Sequence, residues 1–547
     1  MTAKTLPDPG IAQRRAADPR RSVWVSASAG TGKTKVLTDR VLALLLSGTT
    51  PHRLLCLTFT KAAAAEMANR INRALAKWAI TDVEELQAEI TSLTGRPADA
   101  AVLRRARTLF ALVLDVPGGM KIQTVHAFCE SLLGRFPLEA GLAPHFQVMD
   151  EREAVEIQHE AQARVLIRAR YEEKSPLAAA LAEVTSHIHE SEFHDLLVDL
   201  FSERGRLTRL IKKYGGLDEL TEAVFQTLGV KETETEGSVK ASACVDMAFD
   251  GAALKEAAKS MLQGSKTDQK HGRIIEDWLE ANPAKRAQNF SSYISVFFTQ
   301  AGSQRAKLIN KAAEKINPDA PDNLAREVTR LKAVLLKIRS IVTARATAAI
   351  LLLVQSLLKA YEQCKREKGR LDYDDLILEA RSLLEAEGGV SWVMFKLDGG
   401  IDHILIDEAQ DTNPDQWAII LALAEEFFAG EGAHDAERTL FAVGDPKQSI
   451  YSFQRADPEA FERMRSYFRA RAQEIEKPWE DVNLDISFRS TASVLRIVDS
   501  VFAQETASPG VIDSDTLMHH EAFRIGQAGV VELWPPVVPE ETVELLP

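Results

Sequence analysis

The stretch from Ser22 to Thr38, SVWVSASAGTGKTKVLT, constrains this chain more than any other. Val23-Trp24-Val25 is a short β-branched and aromatic run and reads as a buried strand. Ala29-Gly30-Thr31-Gly32 is a loop of small residues, and Lys33-Thr34 opens an amphipathic helix through Leu46. A strand that turns tightly into a helix aims several backbone N–H groups and the positive end of the helix dipole at one point, which makes an anion site. Gly30 and Gly32 permit positive φ and close approach to a phosphate. Lys33 adds a point charge, and Thr34 offers a hydroxyl to Mg²⁺. Ala27 stands where the strict phosphate-loop pattern has its first glycine, so a glycine turn into an ordinary helix is the competing reading. The candidate phosphate cradle is Ala27, Ser28, Ala29, Gly30, Thr31, Gly32, Lys33 and Thr34.

With 547 residues the chain has room for several domains, each with its own core. Its net charge of −13 excludes a global basic field, so any nucleic-acid binding must come from a local groove. The four cysteines, Cys56, Cys129, Cys244 and Cys364, lack CxxC spacing and read as reduced thiols, with no metal site built on them. The first residues lack the apolar core of a signal peptide. The longest apolar runs, Val41–Leu46 and Ala348–Val354, are too short to span a membrane. The expectation is a cytoplasmic protein without a membrane span.

Arg53–Phe59 reads as a second strand leading into a helix at Lys61–Trp78, and Lys121–Val125 as a third strand leading into a helix at His126–Phe136. This alternation predicts a parallel sheet with right-handed crossovers. From about Asp150 to Ala360 charged amphipathic helices replace strands, and Lys231–Gly237 (KETETEG) reads as a loose loop. Strands return at Ile401–Ile406, Thr439–Val443 and Val482–Ile486. One α/β core interrupted by a helical lobe is therefore expected.

Asp407-Glu408 follows the apolar strand HILI, where open α/β sheets bind ligands. Asp407 can hold Mg²⁺ while Glu408 polarises a water for attack on a γ-phosphate; an acidic helix N-terminus is the alternative. Gln448 lies in a turn after the next apolar strand and can aim a neutral amide at the γ-phosphate. Tyr451 and Phe453, two apart, can stack bases, or else pack in the core. Arg489 follows the strand VNLDI and can reach phosphates as an arginine finger. Thr124 and His126 place a hydroxyl and an imidazole together, suited to a DNA phosphate.

In this order the stretches resemble the superfamily 1A DNA helicases, the UvrD/Rep group. LTFTKAAAAEM, TVHAFC, LIDEAQDT and VGDPKQSIYSFQRAD are most similar to its AddA branch, with RecB as the near cousin. The resemblance implies an α/β fold: a RecA-like P-loop NTPase sheet with a large all-helical insertion and the start of a second RecA-like domain. It divides the chain into 1–150 and 361–480 (the two halves of ATPase domain 1A), 151–360 (helical insertion 1B) and 481–547 (the beginning of 2A). It makes Gln13 the adenine reader, Phe488 the ring stacked on adenine where the family usually has tyrosine, and Arg489 the γ-phosphate arginine. Lys33, Thr34, Asp407, Glu408 and Gln448 keep the roles given above. Phe59, Thr60, Thr124, His126, Tyr451 and Phe453 become single-strand DNA contacts.

The implied activity is an ATP- and Mg²⁺-dependent 3′→5′ DNA helicase of recombinational double-strand-break repair. It would act on single-stranded DNA and DNA ends, with an AddB-type subunit beside it. The alternatives are a general UvrD/Rep-type repair helicase and a DNA- and ATP-binding fragment without full turnover. Gln454-Arg455 stands where many relatives read Arg-Gly. Only about sixty residues follow Arg489, fewer than a second RecA-like domain needs. The family's second arginine finger and the AddA nuclease domain have no counterpart here, so an N-terminal portion of a larger protein is expected.

Overall fold

The computed structural model describes residues 9–300, 302–386, 388–396, 400–428, 437–450, 456–504, 506–507 and 519–537. The chain forms two compact units, Met1–Val148 with Leu371–Pro547, and Met149–Arg370.

The first unit is built on a six-stranded sheet. Its strands are β1 (Ser22–Ala27), β2 (Leu54–Thr58), β3 (Lys121–Thr124), β4 (His403–Ile406), β5 (Thr439–Gly444) and β6 (Trp479–Leu484), in the spatial order β3-β2-β4-β5-β1-β6. Every neighbouring pair is parallel. Central strands of such a sheet are covered on both faces and must be apolar throughout, and β2, β4 and β5 are buried at every position. Trp24 on β1 sits in an aromatic cluster with Phe461, Trp417 and Trp479, its ring centroid 4.8, 6.0 and 6.3 Å from theirs. On the other face Val23 and Val25 pack with Leu44, Leu45 and Ile71. The mixed α/β architecture with a parallel sheet is the one expected.

Four helices of this unit position the site: α1 (Pro9–Ala17), α2 (Lys33–Ser47), α3 (Lys61–Ile80) and α4 (Val125–Arg135). Because all six strands run the same way, their carboxyl ends share one edge. The loop after β1, Phe59-Thr60, Thr124, Asp407 and Asp445 all emerge there.

One strand differs from expectation. Val482–Ile486 is broken at Asp485: β6 ends at Leu484, and β7 (Ile486–Thr491) pairs in parallel with β8 (Glu521–Arg524) in a separate ribbon. The backbone carbonyl of Asp485 accepts from the Glu521 N–H at 3.2 Å, so the break marks where the chain changes sheets. Phe488 and Arg489 therefore lie within a strand rather than after one.

The second unit is helical. Its spine, Ala320–Lys368, is 49 residues long, and three apolar clusters form along it. By length and composition this helix could cross a membrane, which the sequence reading did not foresee. Its stripe Ala349-Leu353-Leu357-Tyr361-Cys364 packs with Ile157, Ala161 and Val165 of the helix Glu151–Tyr171 and with Leu177, Ala180 and Val184 of Pro176–Thr185. Lys231–Gly237 is tied down rather than loose. The Glu234 carboxylate pairs with Lys337 and accepts from the Lys231 N–H at 3.0 Å, and its carbonyl accepts from Arg345 at 3.1 Å. Thr235 then caps the helix Glu236–Ala243. A polar segment is ordered here because its charges find partners on the spine.

Candidate nucleotide site

The loop after β1 is shaped by its glycines. Gly30 (φ 77°) and Gly32 (φ 94°) are left-handed, and Thr31 folds back so that its N–H and hydroxyl donate to the Ser28 carbonyl at 3.4 and 2.8 Å. Helix α2 begins at Lys33 with no side-chain cap, so its first N–H groups face the space that the loop encloses. Ala27 is buried as the last residue of β1, where a methyl group fits; Ala29 accepts from the Ser487 hydroxyl at 3.4 Å. Thr34 lies in the first turn of α2.

Lys33 Nζ donates to Glu408 Oε2 at 3.1 Å and thus joins residues 375 positions apart. Asp407 and Glu408 leave β4, which lies one strand away from β1, with β5 between them. Glu408 is held in the left-handed region (φ 48°, ψ 47°), a conformation that costs a non-glycine residue about 1–2 kcal/mol. Asp407 is 9% exposed, and burial, reinforced by neighbouring Glu408 and opposed by Lys33, pushes its carboxyl up to about 6. A buried carboxylate whose charge is this costly is a good oxygen ligand for a divalent cation, which would supply the missing positive charge.

The facing wall comes from β7. The Phe488 N–H donates to the Gly30 carbonyl at 2.8 Å. A Cβ built at Gly32 would stand 3.2 Å from Gln13 Nε2 and 4.0 Å from the Phe488 ring. Gln13, buried on α1, also accepts from Lys35 at 3.2 Å. Arg489 is exposed, and its guanidinium has no ion pair among the described residues. Gln13, the loop, Lys33, Phe488 and Arg489 thus gather at one point of the sheet's carboxyl edge, where the glycines let α1 and β7 approach the loop closely. A flat ring and a buried amide beside an uncapped helix N-terminus fit a purine nucleotide; the carboxylates fit its Mg²⁺.

Gln448 is exposed, and its amide donates to Asp445 Oδ2 at 2.5 Å. Phe59, Thr60, Thr124 and His126 share the same sheet edge beyond β2 and β3. The Thr60 and Thr124 hydroxyls already cap α3 and α4, accepting from Ala63 and Ala127 N–H at 3.1 and 3.2 Å. The His126 ring meets Tyr373 edge-on at 5.8 Å, and burial lowers its basicity while Asp374 opposes this. Tyr451 and Phe453 lie outside the described residues.

The sequence reading gave Gln410 and Asp445 no role in the site, although both lie in the stretches that carry the resemblance. Gln410 Nε2 donates to Glu408 Oε2 at 2.9 Å and to Asp411 Oδ2 at 3.2 Å, while its Oε1 accepts from the Asp445 N–H at 2.9 Å.

A parallel sheet with a glycine loop feeding a helix N-terminus, and an acid pair one strand away contacting the loop lysine, defines a P-loop nucleotide-binding domain of the RecA type. The model of the UvrD/REP helicase N-terminal domain family matches residues 11–469, and the chain belongs to that family. Its curated relatives include an ATP-dependent helicase/nuclease subunit from Lactobacillus acidophilus, 27% identical over 514 residues, covering 90% of this chain and 39% of that protein. The subunit of the same name from Pelotomaculum thermopropionicum is 27% identical over 523 residues (88% and 37% covered), and that from Exiguobacterium sibiricum 26% over 551 (95% and 42%). The chain spans about two-fifths of the length of these relatives.

Proposed function

We propose that this chain is the ATP-hydrolysing motor portion of a DNA helicase that moves 3′→5′ on single strands and processes DNA ends in double-strand-break repair. The proposed partner is an AddB-type protein. The Lys33–Glu408 contact at 3.1 Å carries the reading, because it brings the phosphate loop and the acid pair into one site. The family match and the helicase/nuclease names of the relatives support it. Residues 1–150 and 361–480 would form the ATPase domain, 151–360 its helical insertion, and 481–547 the start of the opposing domain.

In this reading Lys33 and the loop N–H groups hold the phosphates, and Gln13 and Phe488 hold the adenine. Thr34 and Asp407 would ligate Mg²⁺. Bound Mg²⁺ would supply charge neutralisation at the β- and γ-phosphates. When Lys33 turns to the phosphates, Glu408 loses its cation partner and its carboxylate becomes free to orient and deprotonate a water. Arg489 and Gln448 stabilise and sense the γ-phosphate, and Phe59, Thr60, Thr124, His126, Tyr451 and Phe453 face the single strand.

The test is DNA-stimulated ATP hydrolysis by the chain, with Lys33→Ala and Glu408→Gln beside it, and strand separation on 3′- against 5′-tailed duplexes. Turnover lost in both variants and a preference for 3′ tails are expected. Tight binding of ATP and oligo(dT) without turnover would reduce the chain to a binding module, and turnover retained in Lys33→Ala would end the assignment.

A further inference from the structure

A cavity of about 790 Å³ lies in the first unit at the amino edge of the sheet, opposite the loop after β1. Arg20 and Arg21, which precede β1, Ser47, which ends α2, and Glu480, the second residue of β6, all line it. The rest of its wall comes from α1 and from the helices Val83–Thr94 and Ala100–Leu114 with the turn between them. A Cβ built at Gly95 of that turn would stand 3.4 Å from Arg14 Cδ, so α1 lies directly against it.

Two chemistries meet in this cavity. Arg14, Arg15, Arg20, Arg21 and Arg96 line it beside three carboxylates. Those acids are already engaged: Asp99 accepts from the Val102 N–H at 2.8 Å, Glu480 from Arg15 Nε at 2.5 Å, and Asp18 from the Arg20 N–H at 3.1 Å and its Nε at 3.3 Å. Arg21 divides itself between Asp18 at 3.5 Å and Glu480 at 3.6 Å. A guanidinium carries several N–H donors in a rigid fork, so two shared acids leave donors over on Arg15, Arg20 and Arg21, whose side chains are about half exposed. Behind them fully buried Arg40 donates to the Arg21 carbonyl at 2.6 Å and makes no ion pair among the described residues. The surplus of positive charge is local, in a chain whose net charge is −13. Against it, Ala43, Leu46, Ile90, Leu93 and Val102 form an apolar wall.

Cavities of about 300–1,000 Å³ hold small ligands. A bare inorganic anion would leave the apolar wall uncovered, and a neutral apolar molecule would leave the arginines unused. The guanidinium groups also offer more donors than the two oxygens of a carboxylate take up, which favours the three oxygens and higher charge of a phosphate. We propose that this cavity is a ligand site, separate from the candidate nucleotide site, for a small phosphate monoester with an apolar body. The arginines hold the phosphate and the leucine-bearing wall covers the body, whatever the loop after β1 binds.

The experiment is a calorimetric titration of the full chain with 2-naphthyl phosphate, in the Lys33→Ala variant so that the phosphate loop lacks its lysine. Inorganic phosphate, 2-naphthol and 2-naphthoate are titrated beside it. One molecule of 2-naphthyl phosphate should bind per chain, at least about tenfold tighter than each of the other three. Arg20→Ala and Arg96→Ala, both at exposed side chains, should each weaken it at least about fivefold with the melting temperature unchanged.

Equal affinity for any of the three overturns the proposal: 2-naphthol would leave the arginines without a role, inorganic phosphate the apolar wall, and 2-naphthoate the third oxygen. Binding unchanged in both arginine variants would put the ligand elsewhere. Displacement of the ester by oligo(dT) would make the arginines a contact for a nucleic-acid backbone. Either result overturns it too, as does no binding at all.

Discussion

A side chain added at Gly30 would put its first carbon 2.5 Å from Cβ of Arg489. The phosphate loop and the strand carrying the proposed arginine finger are therefore in direct backbone-level contact, and glycine is what permits it. The Phe488 N–H closes the same contact on the Gly30 carbonyl.

Gly30→Ala should damage the site twice over, through a φ of 77° that alanine resists and through displacement of β7. We expect a stability loss of about 1–3 kcal/mol, read from urea unfolding, and at least tenfold weaker ATP-analogue binding. Wild-type affinity in this variant would show that the loop and β7 need not touch.

Phe488→Ala removes the ring beside Gln13 while leaving the backbone bond to Gly30. Loss of a base stack is worth about 1–3 kcal/mol, so ATP-analogue affinity should fall roughly tenfold or more, with oligo(dT) affinity unchanged. Titration of both ligands decides this. Equal affinity for the nucleotide would assign the ring to Phe523, whose centroid is 4.9 Å away.

His403, buried on β4, contacts Thr439 Oγ1 at 2.8 Å and Thr49 Oγ1 at 3.3 Å. Burial, helped by Arg40, lowers its pKa from 6.5 to about 3. The unfolded chain therefore binds the extra proton first as the medium is acidified. This contribution to stability is complete above pH 6.5 and declines as pH falls toward 3, by up to about 1.4 kcal/mol per pH unit. His403→Gln should flatten that slope in urea melts taken from pH 7 to 4.5; an unchanged slope would place the acid sensitivity elsewhere.

In the helical unit, Tyr293 donates its hydroxyl to buried Glu327 at 2.7 Å, and Arg330 closes on the same carboxylate at 2.6 Å. Tyr293→Phe leaves a buried charge one donor short. A loss of about 1–3 kcal/mol in the unfolding of that unit is expected, and a smaller one would mean that water replaces the hydroxyl.

Much of the candidate site was legible in the chain alone, because the chemistry proposed for it is written in local units. A β-branched run, small residues and a lysine at a helix start point to a phosphate cradle wherever the strand lies. An acid pair after an apolar strand likewise marks a sheet's carboxyl edge. Parallel pairing followed from the alternation of strands and helices, since such crossovers allow little else.

Tertiary structure decided what depends on partners far away in sequence. Asp485 breaks a strand that periodicity alone would carry on, because its carbonyl meets Glu521. KETETEG is ordered because Lys337 and Arg345 lie on the spine beside it. Gln410 acquires its partners only where β4 and β5 lie side by side and Gly444 leaves room. A residue's type sets which bonds it can make, while only the fold determines whether a buried amide has three partners within reach.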